Sequence, residues 1–259
     1  MKKLLLPLAF CLLAQVSNGQ TKVIAHRGSS GIAPENTLAA FQKAIDQGIE
    51  FFELDVHITK DDSVVVIHDS SVDRTSSNGK TGKVKDMTYA ELRKVKVGYS
   101  EKFGTEFKKE PIPTLREALA LAKDKIKVCV EIKAYGAEEE VIRAIRELGM
   151  NDQVIVFSFY YPVLAKIRKL DKDIPILYLK GTADEFTLDY AKVLDAKYIG
   201  VGGGTKLTRD FIDQAHSEGI RVWRYTVDDE ATMKELLEVG IDGIISNYPD
   251  RVMNVIKHK

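Results

Sequence analysis

Residues 23–56 read VIAHRGSSGIAPENTLAAFQKAIDQGIEFFELDV, and the alternation inside this stretch decides the fold. It opens on a short apolar run at 23–26. It closes on another at 51–56, whose aromatic and β-branched residues favour a strand. Between them, apolar side chains at 38, 41, 44 and 45 have the spacing of one helical face. Gly48 follows, where a glycine is expected just past a helix end. Strand, helix and strand in this order predict two parallel strands joined by a crossover.

The unit recurs along the chain. Further apolar runs at 127–132, 154–157, 176–179, 198–201, 221–227 and 243–246 bring the predicted strands to eight. Helical spacing is clear at 115–122, 141–148 and 233–237, and Gly149, Gly219 and Gly240 stand at helix ends. Eight such units in about 235 residues fit a (β/α)8 TIM barrel. An open doubly wound sheet is the alternative, but it is usually smaller and has no reason to stop at eight.

Composition agrees with a globular enzyme-sized domain. The chain has 259 residues, 44% of them apolar and 29% charged, with 38 Lys plus Arg against 38 Asp plus Glu. A neutral balance leaves no basic footprint for nucleic acid. Residues 1–19, MKKLLLPLAFCLLAQVSNG, have two lysines, an apolar core from Leu4 to Ala14, and small residues at Ser17 and Gly19. That is the pattern of a signal peptide cut before Gln20, and the apolar core is too short to span a bilayer. The expected product is exported, periplasmic or secreted, with 36 basic and 38 acidic residues, a net of −2. A lipoprotein through Cys11 is disfavoured by the bulky Phe10 before it. Cys129 then stands alone, without a partner for an intramolecular disulfide. Residues 20–259 are expected to form one barrel domain.

One segment breaks the rhythm. Residues 64–68, VVVIH, follow the second strand after only Lys60-Asp-Asp-Ser63. Four residues cannot hold a parallel crossover, so the two runs form a hairpin that brings Ile67 and His68 back to the level of Asp55. Residues at about 69–112 are polar and without a clear period, and read as a small insertion over the barrel mouth.

A barrel of this kind carries its active site at the C-terminal ends of the strands. Strand 1 ends in His26-Arg27-Gly28. Strand 2 carries Glu53 and Asp55, two apart and therefore on one face, with Phe52, Leu54 and Val56 on the other. Strand 3 ends in Glu131-Ile132-Lys133. Carboxylates gathered in a barrel need positive charge to stay ionised, and three of them suit a hard cation, Ca²⁺ or Mg²⁺. An ion-pair network among Glu53, Asp55, Arg27 and Lys133 is the structural alternative. His26 and His68 suit an acid and a base near neutral pH, in either order. His57, His216 and His258 read as structural. Arg27 and Lys133 offer charge for a phosphate. Trp223, the only tryptophan, reads as a wall of the pocket, and the glycines at 200–204 as a place of close backbone approach.

These residues stand in an order that resembles the glycerophosphodiester phosphodiesterase family. The resemblance rests on His26-Arg-Gly, Pro34-Glu-Asn-Thr37, Glu53-Leu-Asp-Val56, Val66-Ile-His-Asp69 and Asp73-Arg74-Thr75. It continues through Glu131-Ile-Lys133, Ser158-Phe159, Val222-Trp223 and Asp242-Gly-Ile-Ile-Ser-Asn-Tyr-Pro249, covering nearly the whole mature chain. It implies a phosphatidylinositol-phospholipase-C-like barrel that hydrolyses glycerophosphodiesters to glycerol 3-phosphate and an alcohol. It implies His26 and His68 as the acid/base pair and Glu53, Asp55 and Glu131 as metal ligands. Arg27 and Lys133 would hold the phosphate, and Trp223 would line the substrate site. Arg224-Tyr225 after Trp223 departs from the family pattern, and Thr226-Val227-Asp228 resembles a shifted version of it. Glu35 and Asn36 are expected to hold the first loop and cap the first helix. A related phospholipase for lysophospholipid or phosphoinositide, and a barrel that only binds phosphodiesters, are the alternatives.

Overall fold

The computed structural model describes residues 20–258, so the leader read in residues 1–19 lies outside it. The chain runs β1 (Lys22–Ala25), α1 (Leu38–Asp46), β2 (Phe51–Ile58) and β3 (Val64–Val66). Two single-turn helices follow, α2 (Tyr89–Leu92) and α3 (Ser100–Phe103), and then α4 (Leu115–Ala122). Regular alternation resumes with β4 (Lys127–Ile132), α5 (Glu138–Glu147), β5 (Val154–Ser158), α6 (Tyr161–Leu170), β6 (Ile176–Lys180) and α7 (Thr187–Val193). It ends with β7 (Tyr198–Val201), α8 (Arg209–Ser217), β8 (Arg221–Arg224), α9 (Glu230–Val239), β9 (Gly243–Ser246) and α10 (Pro249–Lys257).

The strand order is β1-β9-β8-β7-β6-β5-β4-β2-β3, and β1 also pairs with β2. That last pairing, Ile24 with Phe51 and Ala25 with Phe52, closes a parallel barrel of eight strands. The ninth strand, β3, lies outside the closed ring and pairs antiparallel to β2, Val56 opposite Val66. The hairpin therefore forms as so short a connection, residues 59–63, requires, and Ile67 N–H donates to the Asp55 carbonyl at 2.9 Å.

Side-chain alternation sorts β2 between two cores. Phe52, Leu54 and Val56 face the helices and join the large apolar layer between sheet and helix ring. Phe51 faces inward and packs with Cys129, Phe157, Leu177 and Trp223 in the barrel floor. Glu53 and Asp55 share the inward face, one and two layers above Phe51. Helix α1 starts where the Thr37 hydroxyl accepts from Ala40 N–H, and Gly48 follows its end at φ +68°. Gly149, Gly219 and Gly240 take the same left-handed conformation.

The segment between β3 and α4 is polar on average but still builds a core of its own. Val72, Val84, Leu92, Val95 and Val97 bury against Val65, Ile67 and Ile112. Each such side chain contributes about 1.5–3 kcal/mol relative to exposure. No helix among the described residues is long and apolar enough to cross a membrane.

Candidate active site

The three carboxylates meet at the C-terminal end of the barrel. Asp55 on β2 stands directly beside Glu131 on β4 in the parallel register. Oxygens of Glu53, Asp55 and Glu131 lie within 4.8 Å of one another, and all three residues are buried. Glu53 Oε2 accepts from Arg27 N–H at 2.8 Å, while its Oε1 is buried without a partner among the described residues. Burial and the charges of Asp55 and Glu131 push the Glu53 carboxyl well above the usual range. Burial and Asp55 push Glu131 up to about 7, against the pull of Lys133. Burial also works against the Asp55 charge, but Arg27, Lys133 and His68 together hold that carboxyl below its ordinary value. An orphaned buried oxygen in a cluster of carboxylate donors fits a hard divalent cation.

Two cations flank the triad. Lys133 Nζ lies 2.8 Å from Glu131 Oε1, 3.6 Å from Asp55 Oδ1 and 3.2 Å from His68 Nε2. Arg27 Nε lies 3.4 Å from Asp55 Oδ2 and its Nη1 2.9 Å from Glu35 Oε1. Burial opposes both charges, but the surrounding carboxylates raise the pKa of each. Arg27 adopts φ +55° and Asn36 φ +56°, a region that non-glycine residues rarely occupy. This conformation aims both residues at Asp55: Asn36 Nδ2 donates to Asp55 Oδ2 at 2.9 Å and its Oδ1 accepts from Asp55 N–H at 3.1 Å. Asn36 is therefore a brace for the triad. The helix cap is its neighbour Thr37, whose short hydroxyl reaches Ala40 N–H.

Both histidines reach the mouth with a partner behind them. His26 follows β1 and sets Nδ1 2.8 Å from Asn247 Oδ1. His68 follows β3 and sets Nδ1 2.7 Å from Asp69 Oδ1. Burial and the Arg27 cation pull His26 down to about 4. His57 shares the inward face of β2 with Glu53 and Asp55, and its Nε2 lies 3.1 Å from the His68 carbonyl oxygen. It braces the hairpin under His68. His216 pairs with Asp242 at 2.7 Å, a tie between α8 and the approach to β9.

Trp223 is not at the mouth. It is 1% exposed and sits in the floor, with ring centroids 5.0 Å from Tyr198, 5.6 Å from Phe51 and 5.8 Å from Phe157. The reason is register. β8 has four residues, and Trp223 pairs with Gly243, the first residue of β9. A Cβ at Gly243 would lie 2.7 Å from the Trp223 ring, so the glycine makes room for it. The mouth position on this side passes to Tyr225. Its ring packs edge-on to Phe159 at 5.8 Å, and its hydroxyl donates to the Lys180 carbonyl at 2.8 Å. A Cβ at Gly202 would lie 2.6 Å from the Gly181 carbonyl oxygen and 3.2 Å from the Tyr225 hydroxyl, which accounts for a glycine there.

The structure thus brings together His26, Arg27, Glu53, Asp55, His68, Glu131 and Lys133. It adds Asn36, Asp69, Arg74, Tyr225 and Asn247, to which spacing alone assigns no place at the site. Asp69 and Arg74 stand inside quoted motifs, and Thr226-Val227 in the shifted pattern already points one residue back to Tyr225.

Comparison with known proteins agrees with this geometry. Residues 26–251 match the model of the glycerophosphoryl diester phosphodiesterase family. A glycerophosphodiester phosphodiesterase of Caldanaerobacter subterraneus subsp. tengcongensis is 37% identical over 249 residues, 92% of this chain and 98% of that protein. An Oleispira antarctica phosphodiesterase, solved in complex with the product sn-glycerol-3-phosphate, superposes with a TM-score of 0.83 at 30% identity, covering 92% of this chain and 97% of that one. A glycerophosphodiester phosphodiesterase from Agrobacterium tumefaciens gives a TM-score of 0.76 at 28% identity, over 90% and 99% of the two chains. The chain belongs to the glycerophosphoryl diester phosphodiesterase family.

Proposed function

We propose that this phosphodiesterase hydrolyses glycerophosphodiesters to glycerol 3-phosphate and an alcohol, with His26 and His68 moving the protons. The observation that carries the reading is the buried triad of Glu53, Asp55 and Glu131, ringed by Arg27 and Lys133 with a histidine on either side. Ca²⁺ or Mg²⁺ held by the three carboxylates would supply Lewis-acid neutralisation of charge on the phosphoryl group. Arg27 and Lys133 bind the remaining phosphoryl oxygens, the first as a planar fork and the second as a point charge. One histidine takes the proton of the attacking hydroxyl and the other returns a proton to the departing alcohol oxygen. Tyr225 and Phe159 wall the mouth, where Lys133 lies 5.6 Å from the Phe159 ring. The leader-like residues 1–19 add export, periplasmic or secreted, to this reading.

Phosphorus NMR with glycerophosphocholine, in Ca²⁺, in Mg²⁺ and in EDTA, tests it. The expected result is cation-dependent release of glycerol 3-phosphate. His26→Ala and His68→Ala each lower kcat by roughly 10²–10⁴-fold while remaining folded. Full turnover after exhaustive chelation removes the cation from the reading. Turnover confined to lysophospholipid moves the substrate class.

A further inference from the structure

Behind His26 runs a file of hydrogen bonds that the proton transfers do not by themselves require. Asn247 Oδ1 lies 2.8 Å from His26 Nδ1 and 2.7 Å from Ser30 Oγ, whose one proton is shared between it and the His26 carbonyl oxygen at 2.8 Å. Asn247 Nδ2 donates to Asp228 Oδ2 at 2.6 Å. Asp228 is itself fixed, because its Oδ1 accepts from Ser246 Oγ at 3.0 Å and from Asn247 N–H at 2.9 Å. Asp228 follows β8, Asn247 follows β9 and His26 follows β1, three neighbouring strands of the ring. The file therefore runs along the barrel rim.

Chemistry gives the file a direction. A carboxylate only accepts hydrogen bonds, so the Asn247 group facing Asp228 is the NH₂. Turning the carboxamide over would set its oxygen against the carboxylate. Its oxygen thus faces His26, and Nδ1 must carry the ring proton. In a neutral imidazole the lone pair then belongs to Nε2. Among the described residues no group pairs with Nε2. His68 has the Asp69 carboxylate 2.7 Å from Nδ1 and the Lys133 ammonium 3.2 Å from Nε2. The charged groups that bear on His26 from the front are Arg27, Asp55 and Glu35.

We propose that Asp228, acting through Asn247, is a positioning residue that holds His26 as the Nδ1–H tautomer, so that Nε2 takes the proton of the attacking oxygen. This rests on the hydrolase reading above. As that oxygen bonds to phosphorus, its proton passes to His26 Nε2. The bond from phosphorus to the alcohol oxygen breaks, and that oxygen takes its proton from a His68 that carries one on each ring nitrogen, Lys133 having turned from Nε2 to a phosphoryl oxygen. The net charge of the pair is conserved, with His26 gaining the proton that His68 gives up.

Long-range proton–nitrogen correlation NMR at neutral pH reads the tautomer directly, with His26→Gln identifying the signals. The wild type is expected to show Nδ1–H at His26. Asp228→Asn allows the facing carboxamide to reverse, so the Nε2–H form should appear and kcat should fall roughly 10- to 100-fold at nearly constant KM. Unchanged signals from His57, His68 and His216 show that the variant is folded. The double variant Asp228→Asn/Asn247→Asp again offers His26 only an acceptor, and should restore the Nδ1–H form. Nε2–H at His26 in the wild type overturns the proposal. So does an Asp228→Asn variant whose tautomer and kcat both stay unchanged. A wild type that turns over no glycerophosphodiester sinks the hydrolase reading alone, and the spectra still decide the role of Asp228.

Discussion

Arg74 shows how much one side chain can organise without touching the carboxylate triad. Its Nε and Nη2 reach the two oxygens of Asp69 at 2.6 and 3.1 Å. Its Nη1 and Nη2 reach those of Glu35 at 3.0 and 2.7 Å. Asp69 backs His68 and Glu35 backs Arg27, so one guanidinium steadies both flanks of the site. The Arg74 bonds hold the Asp69 carboxyl far below the usual carboxylate range. A depressed pKa stabilises the fold above the unfolded value, about 3.9 for Asp, and that contribution is lost as pH falls below it. Replacing Arg74 by Gln is therefore expected to lower Tm at pH 7, and the gap from wild type should narrow below about pH 4. A gap that stays constant down to pH 2 would contradict the Asp69 linkage. At this scale the sequence shows the charged groups of the site more readily than their supports. Glu53 and Asp55 announce themselves by standing two apart on a strand. Asn36 and Asn247 act across 19 and 221 positions of chain, and no local pattern records that.

Short elements gain their precision from a few constrained backbones. The loop between β1 and α1 holds Arg27 and Asn36 at positive φ, and Gly28 at φ +76°. A Cβ on Gly28 would lie 2.7 Å from the backbone carbon of Ala40, inside the first turn of α1. Gly28→Ala should cost about 1–3 kcal/mol from the backbone conformation alone, with the clash added to it. Urea unfolding measures this, and an unshifted midpoint would show that the loop and helix move apart freely. The β2–β3 hairpin was legible because so short a link leaves no other topology. The height of Trp223 was not legible, because it depends on where β8 starts relative to β9. A strand of four residues has no redundancy to betray its register. The small core under α2 was hidden for a related reason. Its valines come from turns and loops and its leucine from the four-residue α2, which carry no period.

Closure of the whole barrel follows from repetition. Eight strand–helix units bring the last strand, β9, back beside the first, β1, and that pairing leaves the ring without an edge. Alternation carries this information redundantly, so the architecture survives the misplacing of any single residue. The fate of residues 1–19 belongs to the same scale. Mass spectrometry of the protein recovered from its cells and medium is expected to find Gln20 at the mature N-terminus, and a chain that keeps Met1 would refute cleavage. The sealed floor has an optical consequence. The single indole of the chain is enclosed by Phe51, Phe157 and Tyr198 below the layer of the carboxylate triad. Its emission is therefore a property of the closed barrel and not of the ligand site: fluorescence should stay silent as substrate enters and shift only when the ring of strands comes apart.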